Sequence, residues 1–209
     1  FYLLIGLCCG IFSAYTIKIN TLVTKYLSSK ENVWLKAVLG ATLLYPMFFF
    51  LPALLGEGYT FINALALGDS DALLKNTVLE GILNYKASLL PMFMLILCLL
   101  KPLASAVSLE SGGDGGIFGP SLCLGAFLGY GLYSLLALFG VQEHSAMVFI
   151  CSGMGGVIAG VMHAPLTGIF LIAELTGSFQ LFIPLMLVTA LSSFICKSIN
   201  KYNVYKTII

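Results

Sequence analysis

Gly115-Gly116-Ile117-Phe118-Gly119-Pro120-Ser121 is the stretch on which the fold turns. A glycine run leads directly into an apolar segment that opens on proline. Proline is favoured at the first helical position, because its missing N–H would be unpaired there anyway. The pattern therefore places a helix start near Pro120, with the helix running to about Phe139. N–H groups just before and at such a start have no partner within the helix. The macrodipole adds roughly +0.5 charge at that end. Small residues flank Ile117 and Phe118 and leave the backbone bare. Such a turn is an anion-binding concavity made of uncharged groups. Taken alone, the same pattern also describes a glycine hinge between two packed helices.

The surroundings of this turn read as a membrane. Of 209 residues, 59% are hydrophobic and 9% charged, against about 45–50% and about 25% in ordinary soluble domains. That balance excludes a water-soluble globular domain, a disordered segment and a nucleic-acid binder. The formal charge of +1 implies no bulk electrostatic partner, and no Arg is present to fork an anion. Twenty-two Gly in so apolar a chain point to closely packed membrane helices. The six cysteines lie in apolar runs and read as packing residues. His144 and His163 are far apart and near no carboxylate cluster, so no metal site is expected. The chain opens at Phe1 without a basic n-region, so no signal peptide is visible, and a processed or partial sequence is expected.

A spanning helix needs about 20 mostly apolar residues. Candidates run from about Phe1 to Leu22, Val33 to Leu55 and Ala87 to Leu109. Between the last two, Glu57 to Lys86 is the most polar segment and reads as short helices at the interface. After the glycine turn, the apolar pieces shorten: Ala146 to Met162, Leu166 to Leu175 and Phe182 to Ile195, with a break at His163-Ala164-Pro165. Backbone broken at membrane depth must be buried in protein or line a wet cavity. In transporters such breaks mark the binding site. Lys101 is expected to snorkel or pair near a helix end. Gly156 and Gly160 form a GxxxG pair suited to close helix packing. The Lys-rich tail suggests a cytoplasmic C-terminus.

Three ordered blocks carry a family resemblance. Gly116-Ile117-Phe118-Gly119-Pro120 matches the GxFxP signature of the CLC family of voltage-gated chloride channels and chloride/proton antiporters. Gly153-Met154-Gly155-Gly156 through His163-Ala164-Pro165-Leu166-Thr167-Gly168 to Ala173-Glu174-Leu175-Thr176-Gly177 resembles that family's later block. Val204-Tyr205-Lys206-Thr207-Ile208-Ile209 resembles its C-terminal helix. The blocks cover about the last hundred residues; the first hundred fit in hydropathy and order.

The resemblance implies an all-α integral membrane fold, a bundle of tilted and broken helices, and a multi-pass protein that transports chloride. It implies that Ile117 and Phe118 offer backbone N–H groups, and Tyr205 its hydroxyl, to a central chloride. Gly115, Gly116, Gly119 and Pro120 would shape the loop. It implies chloride as ligand, no cofactor, no enzymatic activity and a homodimer, with Glu174 a structural carboxylate near the dimer interface. Neither the family's serine-bearing loop nor its gating-glutamate loop is found in the sequence. The chain therefore reads as a partial transmembrane domain lacking an N-terminal half. Residues 1–30 form a preceding helix, 31–196 the second inverted repeat and 197–209 a C-terminal pore-lining helix.

Other classes fit less well. An aspartyl intramembrane protease needs Gly-x-Gly-Asp, but Ser111 stands where the first Gly belongs. A rhomboid-type protease needs Gly-x-Ser-Gly, but Ile150 stands at its Gly position. No nucleotide-binding GxGxxG or GxxxxGK[ST] occurs in context. Another broken-helix secondary transporter, or a non-conducting fragment of a CLC dimer, remains as the alternative.

Overall fold

The computed structural model describes residues 1–30, 32–55, 59–66, 89–140, 145–177 and 181–205. Among these residues the regular structure is helical. The order is α1 (Tyr2–Ser28), α2 (Val33–Phe50), a 3-10 turn (Pro52–Leu54), α3 (Tyr59–Ala66), α4 (Leu90–Glu110), α5 (Phe118–Leu138), α6 (Ala146–Met162), α7 (Pro165–Thr176) and α8 (Phe182–Ile199). Five of them, α1, α2, α4, α5 and α8, are long and apolar enough to cross a membrane. α6 and α7 are shorter apolar helices, the broken-helix pattern expected. Most of the polar segment from Glu57 to Lys86, and His144, lie outside the described residues.

Local chemistry sets most of the ends. Asn32 caps α2, its Oδ1 accepting from the Trp34 N–H at 3.1 Å. α2 stops at Phe50 rather than near Leu55, because Leu51 precedes Pro52 and is pushed out of the helical region, to φ −132° and ψ 77°. Ser145 caps α6 through the Met147 N–H, and Pro165 opens α7. α1 and α8 run past their expected ends, to Ser28 and Ile199. Tertiary contacts supply the reason. Thr24 Oγ1 donates to Glu110 Oε1 at 2.8 Å, Leu27 is buried, and Cys196 is buried in the core.

α6 is the centre of the bundle. Every residue from Phe149 to Val161 is buried, and a helix buried all round must be apolar all round. α5 packs along one side of it, where the backbones nearly touch. A Cβ on Gly125 would stand 2.5 Å from the Gly153 carbonyl oxygen, and one on Gly153 would run into the Gly125 carbonyl. α1 and α8 pack on the other side. There the GxxxG pair admits them: Gly156 faces Cys9 and Val188, and Gly160 faces Ser13 and Ser192. Buried hydroxyls then reach helix carbonyls, Ser13 Oγ to Val157 O at 3.2 Å and Ser192 Oγ to Gly156 O at 2.7 Å.

The rim is different. In α2 only Gly40 is buried, and Trp34, Val38, Tyr45 and Phe49 point outward. α7 and α8 likewise present Leu166, Phe170, Ile183 and Phe194, with Glu174 exposed on α7.

Candidate anion site at the start of helix α5

The loop between α4 and α5 is folded back on the helix it leaves. The Ser111, Gly112 and Gly113 N–H groups donate to Val107, Leu109 and Ser108 carbonyls at 3.0, 3.3 and 2.9 Å. Gly112 makes this turn at φ +100°, where a side chain would be strained. Asp114, Gly115 and Gly116 are exposed, and the chain then enters α5.

α5 begins at Phe118, with Ile117 as its N-cap. Pro120 is therefore the third helical residue, not the first as expected from the sequence. The reason is that Ile117 already has helical dihedrals, φ −77° and ψ −15°. Its carbonyl accepts both the Ser121 N–H at 3.0 Å and the Ser121 hydroxyl at 2.7 Å. Proline in the first turn breaks no helical bond. The shift leaves three N–H groups, of Ile117, Phe118 and Gly119, at the helix start. Among the described residues none of them donates to a backbone carbonyl outside the helix ladder.

Beside this start lies a cavity of about 170 Å³. Gly115, Gly116 and Pro120 line it from the loop; Lys101, Ser105 and Ser108 line it from α4; Asp114 also reaches it. Ile117 and Gly119 are buried and Phe118 is half-buried, and none of the three is among the residues that line the cavity. A Cβ on Gly116 would meet only the Phe118 nitrogen, at 4.0 Å.

Lys101 does not snorkel or sit near a helix end. It lies mid-helix in α4, 2% exposed, with Nζ donating to the Leu54 carbonyl at 3.0 Å. The expectation failed because the apolar run hides how the loop returns onto α4. The signal was present as a polar stripe: Lys101, Ser105 and Ser108 at i, i+4 and i+7 share one helix face.

Tyr205 is not among the residues lining this cavity. It follows the buried Val204 in a helical turn, is 48% exposed, and its continuation lies outside the described residues. Tyr202, three residues earlier, lines a separate cavity with Lys18 and Asn200, and Lys201 Nζ lies 5.9 Å from its ring centre. Among the described residues no group of three or more His, Cys, Asp and Glu is arranged to hold a metal.

Similar proteins share this architecture. Residues 1–197 match the sequence profile of the family described as voltage gated chloride channel. The chain is 30% identical over 208 residues to the H(+)/Cl(-) exchange transporter ClcA of Vibrio vulnificus strain YJ016, covering 95% of this chain and 39% of that protein. It is 29% identical over 160 residues to ClcA of Klebsiella pneumoniae strain 342, covering 76% and 30%. A crystal structure of a CLC-type fluoride/proton antiporter superposes with a TM-score of 0.72 at 22% identity, over 99% of this chain and 45% of that one. A slow cyanobacterial Cl−/H+ antiporter gives 0.68 at 18% identity, over 98% and 44%. The chain thus spans less than half the length of these relatives. A profile match across nearly the whole sequence, over a bundle with the same architecture, makes this chain a multi-pass integral membrane protein of the voltage gated chloride channel family.

Proposed function

We propose that this chain supplies one half of a chloride-transport pathway. The carrying observation is the start of α5: among the described residues the N–H groups of Ile117, Phe118 and Gly119 have no carbonyl acceptor, and the glycines leading into them, Gly115 and Gly116, line a cavity with Lys101, Ser105 and Ser108. Each such terminus contributes on the order of 1 kcal/mol toward an anion. Weak binding suits transport, because the ion must also leave. In this reading the N–H groups of Ile117 and Phe118 hold chloride, and Tyr205 adds its hydroxyl from the C-terminal helix. Gly115, Gly116, Gly119 and Pro120 keep the approach open.

Lys101 and Asp114 place one basic and one acidic side chain on the cavity wall. The curated relatives are named as H(+)/Cl(-) exchangers, which favours exchange over passive conduction. Their greater length supports reading residues 31–196 as the second inverted repeat of a larger domain whose other half completes the site. The family resemblance implies that two copies pair, and the Lys-rich tail favours a cytoplasmic C-terminus.

Reconstitution at full natural length in liposomes tests this. Chloride efflux that excludes sodium and potassium, with protons moving the opposite way, is expected. Absence of any anion flux would overturn the function.

A further inference from the structure

We propose that Asn200 and Asn203 are positioning residues for the Tyr205 hydroxyl. The inference rests on the reading of Tyr205 as an anion ligand and assigns what holds it in place.

α8 ends at Ile199, and the Asn200 N–H closes its last turn on the Cys196 carbonyl at 2.7 Å. A short connector of residues 200–203 then leads to the helical turn that carries Tyr205. Its two middle residues, Lys201 and Tyr202, are exposed. Its two asparagines reach instead to different helices. Asn200 Nδ2 donates to the Ala14 carbonyl of α1 at 2.9 Å, and Asn203 Nδ2 donates to the Met162 carbonyl of α6 at 3.3 Å.

The Met162 acceptor exists because of how α6 ends. His163 adopts the left-handed conformation, and backbone N–H groups of His163 and Ala164 cap the Gly160 and Ala159 carbonyls. The Met162 carbonyl lies beyond those two bonds and is taken by Asn203. Val204, 1% exposed, is the third anchor. Among the described residues the Tyr205 hydroxyl has no hydrogen-bond partner. Its place therefore follows from the three attachments that precede it.

A plain structural role would make each asparagine only a cap on a helix carbonyl. A double-mutant cycle separates the two, because residues acting through one group are non-additive. Chloride binding is measured by calorimetry on the full-length protein in detergent. Tyr205→Phe and Asn203→Ala are each expected to weaken it roughly 3- to 10-fold, the equivalent of one net hydrogen bond. The double variant should lose no more than either one. Asn203→Leu, which keeps the branched shape but lacks the donor, should repeat the result if the alanine variant fails to fold. Equal losses from Asn203→Ala with and without Tyr205→Phe would overturn the positioning role, as would unchanged binding in Asn203→Ala and Asn203→Leu while Tyr205→Phe weakens it. Unchanged binding in Tyr205→Phe itself would remove the ligand reading and this inference with it.

Discussion

Gly116 and Lys101 line the same cavity and contribute to it by opposite means. Gly116 contributes by having no side chain. A methyl there meets no clash, only the Phe118 nitrogen at 4.0 Å, and Gly116 does not have a positive φ. Gly116→Ala should therefore fold normally while covering one donor, weakening chloride binding about tenfold if that donor's charge-assisted bond is lost. Unchanged affinity in calorimetry would remove the Phe118 N–H from the site. Lys101 contributes a buried basic side chain bonded to the Leu54 carbonyl. Lys101→Met preserves most of its volume and should slow efflux at low external chloride; unchanged efflux would leave the bond to Leu54 as its whole role. The glycine was legible in the sequence because its neighbours spell out a helix start. The lysine was not, because its proximity to the loop depends on a chain reversal at Gly112 that composition does not encode.

Helix ends divide in the same way. Where a cap or a proline fixes the boundary, as at Asn32, Ser145 and Pro165, the sequence shows it. Where a partner helix stabilises extra turns, as at Thr24 on Glu110, hydropathy stops short of the true end. Pro120 shows the limit of a positional preference: proline tolerates any place in the first turn, so the helix begins where its cap begins. Packing between elements gives two predictions. Gly125→Leu would force α5 away from α6, costing about 1–3 kcal/mol, seen as a lower melting temperature in detergent. At the α6–α7 break, His163 has φ 57°. His163→Gly should stabilise the fold by about 1 kcal/mol through relief of that conformation. A higher melting temperature in detergent is expected for His163→Gly, and an unchanged or lower one would show that the left-handed conformation stores no strain.

At the scale of the molecule, the contrast between α6 and α2 is informative. α6 is enclosed on every side, while α2 exposes nearly its whole surface. The family and the all-helical fold were legible from three motif blocks in order. The proposed place of this chain in a longer transport domain was legible only as missing loops, because a site shared between two segments would leave in each just its own ligands. The 209 residues reconstituted by themselves are accordingly expected to release chloride at a small fraction of the rate of the full transport domain. Comparable rates would show that the α5 start and its cavity suffice.

The donors at the start of α5 are amides, and amides do not titrate in water. An exchanger moves protons against its anion, so some part of it must change charge with pH. These amides cannot: on the proposed reading, the Ile117 and Phe118 N–H groups would present the same face to chloride in acid as in base. A pH-dependent chloride affinity in the assembled transporter would therefore report on groups other than these amides.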